Sequence, residues 1–211
     1  MLVRSIFDTI SWKDNIIIQR RIIYEIMLLK KLIEIIQKDI VNRDKFLDLF
    51  HEKEIASRTT LLNEGEISNY MYFVKKGCLR LWFNNEGKDI TFQFFFEHQA
   101  VSSFESFLER KPSMFTLESI EPSTVVIISR SSFDLILSHY PELKDIFYKI
   151  LIRRMADYAK LFLSRIKNNP QKRYEELLQE NPEILQRVAQ HYIASYLGIT
   201  PISLSRIRNR K

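Results

Sequence analysis

At 211 residues the chain is long enough to bury a core without disulfide or metal staples. Its 45% hydrophobic and 27% charged residues, four glycines and six prolines exclude collagen-like and low-complexity chains. The lone Cys78 excludes a disulfide framework or a cluster held by several thiolates, and suits a reducing, cytoplasmic setting. The net charge of +6 sits at one end. Residues 1–150 carry 20 Lys+Arg against 21 Asp+Glu, and residues 151–211 carry 12 against 5. Such a basic end suits a polyanion, with DNA, RNA and anionic lipid all open on charge alone.

The first 25 residues contain Asp8, Asp14, Arg20, Arg21 and Glu25, where a signal peptide needs an unbroken apolar stretch. No apolar run reaches the roughly 20 residues of a membrane span, so no membrane partner is expected. From Asn15 to Ile40 apolar residues recur every three or four positions without Gly or Pro, predicting one or two helices. Between Thr59 and Ser129 the pattern changes. Leu79, Leu81 and Phe83 alternate with Arg80 and Trp82, and Ile90, Phe92, Phe94 and Phe96 alternate with Thr91, Gln93 and Phe95, the period of a strand. Asn63-Glu-Gly65, Lys76-Gly77 and Asn84-Asn-Glu-Gly87 fall between these runs as turns. An antiparallel sandwich or barrel is expected.

After Pro141 the helical period returns and holds to about Asn168. Phe147, Leu151, Tyr158 and Leu161 follow a 4-3 spacing interrupted by Arg154, the stripe a helix offers to a partner helix; packing on the chain's own sheet is the alternative. Asn169-Pro170 and Asn181-Pro182 are cap and first-turn signals opening further helices.

Gln190 to Asn209 reads QHYIASYLGITPISLSRIRN. Ala194 is small where two helices would cross, and Gly198 permits the positive φ of a turn. Ile193, Leu197, Ile199, Leu204 and Ile207 supply a small core between the helices. Thr200 is placed to cap the second helix, Pro201 suits its first turn, and Ser203 holds the capping-box position. With Leu204 and Ile207 inward, Ile202, Ser205, Arg206 and Asn209 face outward and are the candidates for reading bases in a major groove. The planar fork of Arg206 matches the two acceptors of guanine, and Ile202 suits a thymine methyl. Thr200, Ser203, Tyr192 and Arg208 are the candidate phosphate contacts, with Arg210 and Lys211 beside them.

The order of parts, with LNEGEISNYMYFVKKGCLRLWF in the strand region and IASYLGITPISLSRIR at the C-terminal end, resembles the Crp/Fnr superfamily of transcription regulators, in particular the compact form common in Bacteroidetes. The resemblance spans about residues 27–211. It implies an α+β chain with N-terminal helices, an antiparallel β-roll of the cyclic-nucleotide-binding type, a long dimerisation helix and a C-terminal helix-turn-helix domain without a long wing. The implied divisions are 1–26, a helical extension or a misassigned start; 27–140, sensor; 141–168, dimerisation helix; and 169–211, DNA binding. The implied protein is not an enzyme but a homodimer on a palindromic site of double-stranded DNA, with RNA polymerase as a further partner.

In relatives that bind cyclic AMP, a Gly-Glu pair and a later Arg followed by Ser or Thr hold the cyclic phosphate. Here Glu105 stands in that segment with Ser106, Ser113 and Thr116 as a possible effector pocket, but no Arg occupies the later position. A buried phosphate without a cation is costly, so cyclic AMP is not the expected effector, and no cofactor is required. His51, His98, His139 and His191 are dispersed, which argues against a metal site. A protein-interaction adaptor without specific DNA binding is the competing reading, and the basic end argues against it.

Overall fold

A computed structural model describes residues 29–209. The reading of helix before residue 29, the 1–26 extension, Arg210 and Lys211 lie outside the described residues.

Helix α1 runs through residues 29–38. It stops where the Asp39 carboxylate accepts the Asn42 amide at 3.0 Å, and a short α2 (Arg43–Leu47) follows. Eight strands come next: β1 (His51–Ile55), β2 (Thr60–Leu62), β3 (Tyr70–Lys76), β4 (Leu79–Asn85), β5 (Lys88–Phe95), β6 (Ala100–Val101), β7 (Thr116–Ser119) and β8 (Ser123–Ser129), with α3 (Phe104–Glu109) between β6 and β7. They form two antiparallel four-stranded sheets, ordered β1-β8-β3-β6 and β2-β7-β4-β5. Helices α4 (Arg130–His139), α5 (Glu142–Lys167), α6 (Pro170–Glu180), α7 (Pro182–Arg187), α8 (Gln190–Leu197) and α9 (Pro201–Asn209) complete the chain.

The expected turns close these sheets. In the β4–β5 hairpin Glu86 and Gly87 both have positive φ, 52° and 80°, and the Asn84 side chain accepts the Gly87 amide at 2.9 Å. That geometry matches the right-handed twist of paired strands. At Gly77, φ is +100° and an added Cβ would fall 2.2 Å from Ser123 Oγ and 2.7 Å from Ser123 Cα. Gly77→Ala therefore combines backbone strain with a clash against main chain, and is expected to cost about 3 kcal/mol. Equilibrium denaturation checks this, and a cost below about 1 kcal/mol would mean that the turn relaxes freely.

Three apolar clusters hold the molecule. The first packs α1, α2, α4 and the start of α5 onto one sheet, with Phe133, Ile136, Leu143 and Phe147 at its centre. The second fills the space between the sheets with Leu79, Leu81, Phe95, Leu117 and Val125. The third joins Cys78 and Phe94 to Leu177, Ile184, Val188, Ile193 and Leu204 from the C-terminal helices. Phe94 and Phe95, adjacent on β5, thus enter different clusters, because the outer side of that strand is covered by helices rather than water.

Candidate nucleic-acid interface

Helices α8 and α9 form a compact pair. Ala194 and Leu204 are fully buried and Ile193, Leu197 and Ile207 nearly so, while Ile199 packs at the edge. Between the helices Gly198 takes φ 66°, ψ 38°, and the following Ile199 amide donates to the Ala194 carbonyl at 2.9 Å. A left-handed residue at this point ends a helix by satisfying its last carbonyls. Thr200 Oγ1 accepts the Ser203 amide at 3.1 Å and lies 3.0 Å from Ser203 Oγ, so both hydroxyls serve to start α9. Ser203 is half-buried at the capping-box position expected of it. Burying Leu204 and Ile207 leaves Thr200, Ile202, Ser205, Arg206, Arg208 and Asn209 exposed.

Tyr192 departs from its expected place. Expected among the phosphate contacts, it is half-buried, with its ring 4.0 Å over the Arg80 guanidinium on the strands. Arg80, only 1% exposed, donates from Nε to Glu118 at 2.9 Å and from NH1 to Thr91 at 3.2 Å, and Asp89 lies 3.5 Å from NH2. Beside it Ser195 Oγ donates to the Asp89 carbonyl at 2.6 Å and accepts the Thr91 amide at 2.8 Å. Farther along, Arg187 grips Glu97 through both carboxylate oxygens, at 2.7 and 2.9 Å, and also pairs with Glu121 and Glu183. Hydrogen bonds donated to Glu97 lead the upward shift of the Arg187 guanidinium; burial pushes the Glu97 carboxyl up, but Arg187 together with the backbone amides of Glu97 and Gly77 holds it below its ordinary range. Two arginine clusters, around Arg80 on β4 and Arg187 on α7, thus tie the C-terminal helices to the strands and the loops beside them.

The dimer stripe also needs correction. Phe147 is 4% exposed and its ring meets Phe133 edge-on at 5.0 Å. Arg154 is buried, donates to the Ala100 carbonyl and lies 4.8 Å from the Phe104 ring. Leu151 leans on the first cluster, Tyr158 on Phe92 at 5.0 Å, and Leu161 on the third cluster. All five face their own chain. The apolar stripe left open on α5 is Tyr148, Ile152, Met155, Phe162 and Ile166, each 60–70% exposed, with the small Ala159 completing a 4-3-4-3-4 spacing.

Around the possible effector pocket the hydroxyls are engaged within the chain. Ser106 Oγ accepts the Ser68 amide at 2.8 Å, Ser113 Oγ bonds Ser103 Oγ at 2.8 Å and the Phe115 carbonyl at 2.6 Å, and Thr116 Oγ1 accepts the Glu64 amide at 3.0 Å. Glu105 is exposed. The serine hydroxyls are thus already hydrogen-bonded within the chain, while Thr116 Oγ1 keeps its proton to donate. Cys78 is fully buried, and burial pushes its thiol well above the ordinary value, which suppresses the reactive thiolate. Among the described residues no group of three His, Cys, Asp or Glu side chains is placed to hold a metal ion, and no helix is long and apolar enough to cross a membrane.

Residues 52–140 match the family model of the cyclic nucleotide-binding domain. Solved structures extend the likeness over most of the chain. The c-di-GMP responsive global regulator CLP of Xanthomonas campestris aligns with TM-score 0.63 and 19% identity, covering 80% of this chain and 89% of that one. FixK2 from Bradyrhizobium japonicum aligns with TM-score 0.65 and 19% identity, over 76% and 83% of the two chains. A Crp/Fnr-family regulator from Eubacterium rectale aligns with TM-score 0.66 and 18% identity, over 80% and 81%. The fold is that of the Crp/Fnr regulators. No curated protein matches the sequence.

Proposed function

We propose that the protein is a sequence-specific DNA-binding transcription regulator that acts as a homodimer in the cytoplasm. The observation that carries this is the α8–α9 pair: burying Leu204 and Ile207 leaves Ile202, Ser205, Arg206 and Asn209 exposed on the second helix of a helix-turn-helix. Two subunits paired along the open α5 stripe would present two such helices to major grooves about 34 Å apart. RNA polymerase as a partner belongs to the same reading. Cyclic AMP is not the effector in this account, since the segment that would meet its phosphate lacks the arginine and its serines already bond one another.

Arg206→Ala tests the assignment. It is expected to weaken binding to a selected duplex by about 1–3 kcal/mol while leaving random-duplex binding nearly unchanged, and Arg208→Ala to reduce the salt slope by about 1 on both. Fluorescence anisotropy at several salt concentrations reads both quantities. Equal loss on both duplexes would make Arg206 a phosphate contact.

A further inference from the structure

Between β5, the second half of α5 and helices α6 to α8 lies a crevice of about 680 Å³, within the range of small-molecule sites. One wall is apolar, formed by Phe94, Phe96, Leu161, Leu177 and Tyr196. Three arginines also line it: Arg153, which pairs with Asp157, Arg165 near the end of α5 and Arg173 on α6. Arg165 donates to the Tyr196 carbonyl at 2.9 Å, and Arg173 to the carbonyls of Arg165 and Asn168 at 3.3 and 3.2 Å. These are neutral acceptors. Among the described residues no carboxylate lies within ion-pair distance of Arg165 or Arg173, and the Nε of each is buried without a hydrogen-bond partner there. Burial lowers the Arg165 guanidinium from its ordinary value, and repulsion from Arg173 adds to the shift.

The carboxylates that line the same crevice bond groups other than Arg165 and Arg173, or stand exposed. Glu97 and Glu183 are held by Arg187, Glu176 accepts from Ser164 and Asn168, and Asp157 pairs with Arg153; Glu180 is exposed. Two like charges facing a half-dry, aromatic-walled space are stabilised most by an anion that bonds both guanidinium groups. We propose that this crevice binds an organic anion with an aromatic body, its carboxylate, sulfonate or phosphate group lying between Arg165 and Arg173. Because its walls come from β5 and the C-terminal helices, occupancy stabilises their docked arrangement by mass action. That this arrangement governs DNA affinity rests on the reading above, whereas the site itself does not.

The probe is 8-anilinonaphthalene-1-sulfonate, an aromatic anion, with uncharged N-phenyl-1-naphthylamine as its control, both titrated by fluorescence on the full chain without DNA. The Arg165→Gln, Arg173→Gln double variant is expected to bind the sulfonate about tenfold more weakly and the amine unchanged, and the corresponding double Lys variant to recover part of the sulfonate affinity. Unchanged sulfonate affinity, or equal loss of both probes in a folded variant, would overturn the proposal. Hydrogen exchange on the unaltered chain supplies a test free of folding effects. The sulfonate is expected to slow exchange at residues 94–99 and 161–184, and slowing confined to the open α5 stripe, or none at all, overturns the site.

Discussion

Phe147→Glu is expected to unfold the protein, whereas Ile152→Glu and Phe162→Glu are expected to leave the fold intact and yield monomers. Phe147 is 4% exposed among Phe133, Phe104 and Leu143, so its loss alone costs about 3–5 kcal/mol, and a carboxylate forced into that cluster costs several kcal/mol more. A domain stable by about 5–15 kcal/mol does not survive that sum with margin. Ile152 and Phe162 are 67% and 64% exposed in the isolated chain, so a charge there is cheap before association. In the proposed homodimer it would meet its symmetry mate across the seam, and a penalty of about 3 kcal/mol would raise the dimer dissociation constant about a hundredfold. Sedimentation and circular dichroism read the two outcomes. A folded monomer from Phe147→Glu would return the interface to the buried stripe, and dimers surviving both other changes would remove α5 from it.

Arg80→Ala is expected to destabilise the chain by about 3–5 kcal/mol and to loosen α8 from β5. Removing the guanidinium leaves Glu118, whose side chain is 14% exposed, without its 2.9 Å partner, and a buried charge stripped of its mate is costly. It also removes the support beneath Tyr192. For a chain of this size the midpoint of thermal unfolding should fall by about 10 °C. Arg80→Met combined with Glu118→Met is expected to restore most of the loss, since no lone charge then remains. If the single variant melts like the parent, the buried arginine does not hold the docked arrangement.

The elements were readable where local chemistry decides them. Pro141 and the Asn169-Pro170 pair bracket α5, the Asn169 side chain accepts the Lys172 amide at 2.9 Å as a cap does, and Gly198 sits in the left-handed region the turn requires. At Asn181-Pro182 the helix starts as expected, but Asn181 makes no side-chain cap bond. Which stripe of α5 lies open was not readable. Two apolar stripes one residue apart share the same 4-3 spacing, because one covers the chain's own body and the other lies open, and periodicity alone does not rank them. Arg80 and Arg187 escaped for a related reason: alternation marks Arg80 as a polar strand position, yet its partners Glu118, Asp89 and Tyr192 lie 9 to 112 positions away in sequence.

Paired α9 helices are expected to recognise one DNA sequence over others. Selection of bound sequences from a random duplex library with the full-length protein, run with and without cyclic AMP, tests it most directly. The expected result is enrichment of a two-fold symmetric site whose half-sites are centred about one helical turn or a whole number of turns apart, unchanged by the nucleotide. Absence of enrichment with a folded dimer would contradict it and favour a protein-interaction adaptor.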